Sequence, residues 1–270
     1  MLNYLNKINK NFKIISKPRL FRAKAINSGL LEWSNEDNQF YKIKNKNENS
    51  SNSLLFLDGK KKTLVNNTIQ FLNGKPANSV LLWGARGTGK SSLVLSIYDL
   101  LIKKFSFSMI EIKFFQIECI PKILRLIDRD RKKIIIFCDD FSFECNDDKF
   151  ILFKNTLEGS LRSNTNIIYY VTSNYRHLVR NNFHDNLNDT HNKDTNENLI
   201  SLSDRFGIWL GFHSFSQEEY IKIVLFYAKQ LKLKLKTEII KKKAVEWSVL
   251  RGSYSGREAL NFVKFLLLNE

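Results

Sequence analysis

The residues Gly84-Ala85-Arg86-Gly87-Thr88-Gly89-Lys90-Ser91 have the types and spacing to hold a chain of phosphates, and they fit the pattern G-x-x-x-x-G-K-[ST] without a mismatch. Gly84, Gly87 and Gly89 let the backbone curl so that successive N–H groups, with the N-terminus of the following helix, point at phosphate oxygens. Lys90 supplies a positive charge for the β and γ phosphates. The Ser91 hydroxyl supplies a ligand for a magnesium ion bridging them. Ala85, Arg86, Thr88 and Ser92 complete the predicted nucleotide-binding set.

Two further stretches carry chemistry. The apolar run Ile134-Ile135-Ile136-Phe137-Cys138 ends in Asp139-Asp140. Asp139 is placed to hold the magnesium ion through its water shell, and Asp140 to polarise an attacking water. The run from Asn166 to Val171 ends in Thr172-Ser173-Asn174, where Asn174 either shapes a turn or orients that water and senses the γ phosphate. Arg205 stands just before the apolar run Ile208-Trp209-Leu210-Gly211-Phe212. It is either a surface ion-pair partner or an arginine finger that completes a neighbour's site, a device worth about a thousandfold in phosphoryl-transfer rate.

These residues need a scaffold of strands that end together, and the hydrophobic pattern supplies one. Short apolar runs at Ser79–Trp83, Met109–Phe115, Ile134–Asp140, Asn166–Val171 and Ile208–Phe212 read as five buried parallel strands. Helical patterns precede and separate them: Leu57 to Leu72, Ser92 to about Lys104, Cys119 to Asp128 with Pro121 in its first turn, and Lys149 to Leu161. The end of the chain is helical, with Gln217–Leu231, Glu238–Leu250 and Arg257–Leu268. The alternation from Leu231 to Lys236 mimics a strand or a basic membrane face, but at six residues it reads as a short connection. The expected division is a peripheral segment over 1–52, a nucleotide-binding core over 53–214 and a helical lid over 215–270. Within the first of these, Leu20 to Trp33 reads as a helix and Asn45 to Ser53 as a linker.

Composition narrows the setting. A formal net charge of +16 invites a nucleic-acid or anionic-membrane partner. The excess is spread, however: residues 1–50 hold ten Lys/Arg against four Asp/Glu, and residues 216–270 hold eleven against six. Cys119, Cys138 and Cys145 form no C-x-x-C pair, which predicts a reducing, cytoplasmic setting. No run approaches the ~20 apolar residues of a membrane span, and the N-terminus builds no signal-peptide stretch. Asn181 to Asn198 reads as a polar, mobile loop. His177, His184 and His191 recur every seven residues, but no cysteine joins them, so they are a weak metal signal.

In this order, the phosphate loop, the acid-ended strand, Asn174, Arg205-Phe206 and Arg257 resemble the motif set of the AAA+ ATPases over about Leu57 to Leu268. The wording Asn78-Ser79-Val80-Leu81-Leu82-Trp83-Gly84-Ala85-Arg86-Gly87-Thr88-Gly89-Lys90-Ser91-Ser92-Leu93, with Phe137-Cys138-Asp139-Asp140 and Leu202-Ser203-Asp204-Arg205-Phe206-Gly207, is similar to the bacterial ATP-binding family called domain of unknown function 815. The resemblance implies an α/β AAA+ type P-loop NTPase with a five-stranded parallel sheet flanked by helices and a small C-terminal helical lid. It implies ATP and Mg2+ as cofactors, a homo-oligomer, and a protein or nucleic-acid client. By the same resemblance Gly84 to Ser91 form the Walker A loop and Asp139 and Asp140 the Walker B acids. Asn174 becomes the first sensor, Arg205 the finger and Arg257 a second sensor on the lid. Asp140 departs from the usual Glu by one methylene, which makes Glu144 a second candidate base.

Three functions compete on this basis. The first is an ATPase that hydrolyses ATP between subunits. The second is a nucleotide-gated nucleic-acid-binding module with slow or no hydrolysis, similar to AAA+ helicase loaders. The third is a GTPase or small-molecule kinase. Against GTP, Asn192-Lys193-Asp194 has its acid one residue too early for guanine reading, and no acceptor site for a kinase is visible.

Overall fold

The run that ends at Asp139 is buried on both faces, as only the interior of a parallel sheet allows. Ile134, Ile136 and Cys138 pack into one apolar core, Ile135 and Phe137 into another on the opposite face. A computed structural model describes residues 28–43, 54–127, 132–144, 147–163, 165–179 and 202–268. The expected linker over 45–53, the polar loop over 181–198, Cys145, His184 and His191 lie outside the described residues.

In chain order the elements are β1 (Gly29–Ser34), β2 (Gln39–Lys42), α1 (Asp58–Leu72), β3 (Val80–Gly84), α2 (Lys90–Leu101), β4 (Phe107–Lys113), α3 (Ile120–Ile127), β5 (Lys133–Asp139), α4 (Asp148–Ser163), β6 (Ile167–Ser173), β7 (Ile208–Phe212), α5 (Gln217–Gln230), α6 (Thr237–Arg251) and α7 (Gly256–Leu267). A 3-10 turn, Phe114–Cys119, links β4 to α3. The sheet order is β2-β1-β4-β5-β6-β3-β7, with every pair parallel except β1 and β2. After β3 the chain leaves for β4, then returns through β5 and β6, and finally crosses to β7 on the other side of β3. That reversal opens a crevice at the carboxyl ends of β3 and β6.

The sheet has seven strands rather than the expected five, because residues 29–42 add a hairpin. This corrects one sequence reading: Gly29 to Trp33, at the end of the stretch expected as a helix, lie in strand β1, and within the expected 1–52 segment residues 29–42 pair with the sheet. The cause is tertiary. Leu30 and Leu31 enter opposite cores, Trp33 is 1% exposed, and its carbonyl accepts from Gln116 Nε2 at 2.7 Å. Lys113 on β4 reaches Glu32 at 2.5 Å. A strand of six residues packed on a neighbour that is distant in sequence is poorly visible to local periodicity.

The lid is a third core, built where α5, α6 and α7 turn Tyr220, Val224, Ala244 and Phe262 toward one another. Two of its three helices, α5 and α7, begin at serine caps. Ser216 accepts from Glu219 N and Glu219 reaches back to Ser216 N, while Ser255 accepts from Glu258 N. If β1 is integral, Trp33→Ala lowers the unfolding free energy by about 3–5 kcal/mol in denaturant titration. Unchanged stability would show that the hairpin is not part of the cooperative fold.

Candidate functional site

The phosphate-loop residues are fixed from both ends. Gly84 closes β3 with φ +123°, and a Cβ there would stand 2.0 Å from the Phe212 carbonyl oxygen. The same carbonyl accepts from Ala85 N at 2.7 Å, so β7 clamps the start of the loop. At the outer turn the lid makes the contact: Arg257 N donates to Gly87 O at 3.2 Å, and a Cβ on Gly87 would meet Ser255 Oγ at 2.9 Å. Only glycine leaves room for strand and lid to approach so closely. Thr88 Oγ1 ties the loop to itself through Ala85 O at 2.7 Å.

Lys90 opens α2 and is 8% exposed. Its ammonium donates to the carbonyls of Gly84 and Ala85, both at 2.8 Å, and to Asn174 Oδ1 at 3.3 Å. Burial lowers its pKa from 10.5 to about 8, against the pull of Asp140 and Asp139 and with the push of Arg257 and Arg86. Below about pH 8 both folded and unfolded chains carry this proton, and the penalty is fully present. Between about 8 and 10.5 the folded lysine releases it first, so this residue's contribution to stability rises with pH.

The acids and the sensor form one hydrogen-bonded chain with the loop. Ser91 Oγ donates to Asp139 Oδ1 at 2.5 Å, and Thr172 Oγ1 donates to the same oxygen at 2.6 Å. Thr172 Oγ1 also accepts from Asp140 N at 2.8 Å. Asn174 Nδ2 then donates to Asp140 Oδ1 at 2.5 Å. Asp140 adopts φ +54°, a left-handed conformation that an Asp tolerates better than most residues. The turn carries Phe141 and Phe143 down into the core, where their N–H groups bond Thr172 O and Leu178 O.

Most of the predicted set meets in a single cavity of about 520 Å3 between the sheet and the lid. Arg86 to Ser92, Asp139, Asp140, Asn174 and Arg257 line it. Four predicted residues are outside the lining: Gly84 and Ala85, whose carbonyls hold Lys90, and two that lie away from the loop. Glu144 is exposed and outside the lining, because the bridge between Phe143 and Val179 carries the chain away from the crevice. Arg205 is also outside, exposed and paired with Glu158 at 2.6 Å. Such an exposed pair contributes little to stability. His177 meets Trp209 edge-on and contacts Ser203 Oγ at 3.1 Å; burial lowers its pKa, and no group of three or more His, Cys, Asp or Glu among the described residues could hold a metal ion.

Sequence reasoning missed two parts of the site. Thr172, 1% exposed, links both acids, and its only signal was a hydroxyl at the polar tip of β6. The apolar wall of Leu54, Leu57, Phe215, Ile223, Tyr227 and Leu260 was hidden because it gathers residues from before the loop and from the lid. Thr172→Val, which keeps the shape and removes the hydroxyl, should lower stability by about 1–3 kcal/mol, because it removes the hydrogen bond to the Asp139 carboxylate and the one from Asp140 N. Thr172→Ser should restore most of that loss. Equal melting of the Val variant and the native chain would show that the hydroxyl holds nothing.

A family model described as protein of unknown function DUF815 matches residues 27–269. Solved structures share the fold at low identity. The Thermotoga maritima RuvB Holliday junction branch migration motor superposes with a TM-score of 0.52 at 15% identity, over 77% of this chain and 60% of that one. A chain of the E. coli MS115-1 HORMA:CdnC:Trip13 complex gives 0.51 at 12%, over 82% and 93%. A DNA replication initiation factor gives 0.51 at 17%, over 80% and 64%. The chain thus spans about 60% of the length of the RuvB chain it matches, and the likeness is one of fold. No curated protein matches the chain. The family match covers nearly the whole sequence and the neighbours are AAA+ proteins, so the chain belongs to the DUF815 family and has the AAA+ P-loop ATPase fold.

Proposed function

We propose that this chain binds ATP with magnesium and hydrolyses it at sites shared between subunits of a homo-oligomer, to drive movement of a protein or nucleic-acid client. The observation that carries the reading is the unbroken set of hydrogen bonds from Lys90 through Asn174, Asp140, Thr172 and Asp139 to Ser91, all facing one cavity. Its volume lies in the range of ordinary small-molecule sites. The apolar wall suits a purine base, and the absence of a guanine-reading motif favours adenine. The domain reading that goes with it is a nucleotide-binding core over 53–214 and a lid over 215–270.

Magnesium fits the donor set. Ser91 and Asp139 offer one hydroxyl and one carboxylate, the sparse protein ligation expected of an ion that keeps water and phosphate oxygens. When bound, the ion neutralises charge developing on the phosphates. Lys90 sits where the β and γ phosphates are expected and exchanges carbonyl partners for phosphate oxygens. Asp140 accepts the proton of the attacking water while Asn174 fixes the carboxylate's direction. Arg257 presents lid charge to the same phosphates. Arg205, outside its own cavity, serves the neighbouring subunit's site. The free thiols of Cys119 and Cys138 fit a reducing, cytoplasmic setting. No helix among the described residues is long and apolar enough to cross a membrane.

A second reading is a nucleotide-gated nucleic-acid-binding module with slow or no hydrolysis. It is favoured by Asp140 itself, whose carboxylate is short and already engaged by Asn174. Steady-state turnover per chain, followed across a wide protein concentration range, separates the two. The ATPase reading expects a steep rise with concentration, loss in Lys90→Ala, and a fall of roughly a thousandfold in Arg205→Ala while the oligomer still forms. Full turnover in an oligomeric Arg205→Ala would sink the shared site. Bound ATP without turnover would favour the gated module.

A further inference from the structure

The alternation Leu231-Lys232-Leu233-Lys234-Leu235-Lys236 has no part in the cavity, yet its structure is specific. It is the strap that joins α5 to α6, and its two polarities are sorted: Leu233 and Leu235 pack against the lid core, whereas Lys232, Lys234 and Lys236 are exposed. Lys232 turns the chain out of α5 with φ +59°. Just beyond, Lys241, Lys242 and Lys243 are exposed on α6. Residues 231–243 therefore hold six lysines against one acid, Glu238, while the whole chain holds 43 basic residues against 27 acidic ones. The local excess is far above the general bias. Among the described residues, Lys232, Lys236 and Lys241 to Lys243 form no ion pair.

We infer that this strap and the start of α6 form a docking surface for the phosphate backbone of a nucleic acid, read without regard to sequence. A membrane surface is the other polyanion of similar charge, and the packing disfavours it. Lipid binding by a basic element needs an apolar face free to enter the acyl region. Here Leu233, Leu235, Ile240 and Ala244 are turned into the lid core. Outside stand the lysines, with Leu231 and Ile239 only 36% and 42% exposed, so charge outweighs apolar surface and suits counterion release from a phosphate backbone. The surface stands apart from the nucleotide site, but α5 connects them. Tyr227 lines the cavity and its carbonyl accepts from Leu231 N at 2.8 Å, where the strap begins. That connection, unlike the surface itself, rests on the proposed nucleotide function.

The test is binding of a fluorescein-labelled 30-base-pair DNA duplex of mixed sequence, followed by anisotropy at 50 and 200 mM salt. The native chain should bind, and its affinity should fall about 10²–10³-fold between those salts, as expected for roughly five phosphate contacts. Lys232→Glu/Lys234→Glu/Lys236→Glu should weaken binding about 30-fold or more with the thermal melt unchanged. Lys62→Glu/Lys103→Glu/Lys104→Glu, an equal charge change at exposed sites on the core, should shift it less than about threefold. Equal loss in both triple variants, no duplex binding by the native chain, or tighter binding to vesicles of phosphatidylserine and phosphatidylcholine would each overturn the inference. ATP binding measured separately on the same proteins shows whether the nucleotide reading stands, since the strap variant leaves the cavity intact.

Discussion

A buried ammonium is the constraint around which this structure is arranged. Lys90 stands at the first turn of α2, removed from water, and burial lowers its pKa from 10.5 to about 8. The chain tolerates it because two loop carbonyls and the Asn174 side chain accept its protons. Those carbonyls point inward only because Gly84 and Gly87 let the backbone pass Phe212 on one side and Ser255 on the other. The loop's shape, the lid's approach and the position of β7 are thus consequences of holding one charge in a low-dielectric place. An anion entering the cavity would relieve the penalty by favouring the charged form of Lys90.

The acids depend on the same arrangement one strand further away. β6 lies between β3 and β5, so its polar tip reaches Lys90 on one side and both acids on the other. Thr172 uses one hydroxyl to hold Asp139 and the Asp140 backbone, and Asn174 uses one amide to bridge Lys90 and Asp140. The left-handed turn at Asp140 follows from this clamp and from Phe141 and Phe143, whose burial pulls the chain below the crevice immediately after the carboxylate. Rigid packing therefore sets the reach of Asp140, and its missing methylene is not offset by backbone freedom.

Much of this was legible in the sequence because its signals are local. The loop pattern, the double-faced burial of Ile134 to Cys138 and the exact span of β7 all follow from spacing and polarity within a few residues. The parts that were not legible depend on residues brought together from afar. β1 is a strand because Gln116 and Lys113 meet it, not because Gly29 to Ser34 resemble one. Glu144, four residues past the acid pair, looked near in sequence and is carried away by the Phe143–Val179 bridge. Thr172 was hidden in plain view: a hydroxyl at a strand end reads as a turn until the neighbouring strand is known to carry two carboxylates. The Leu-Lys alternation was correctly a connection, but only the packing showed which side faces water.

Whether Lys90 meets the phosphates is tested directly by proton linkage. Burial holds the free lysine's pKa at about 8, below its ordinary 10.5, and a bound triphosphate favours the charged form. Calorimetry of MgATP binding in two buffers of different ionisation enthalpy, run from about pH 6 to about pH 9.5, should therefore show net proton uptake that is absent at the acid end and grows with pH. Binding with no proton uptake anywhere in that range would contradict the claim, because it would mean that the nucleotide does not engage the buried ammonium.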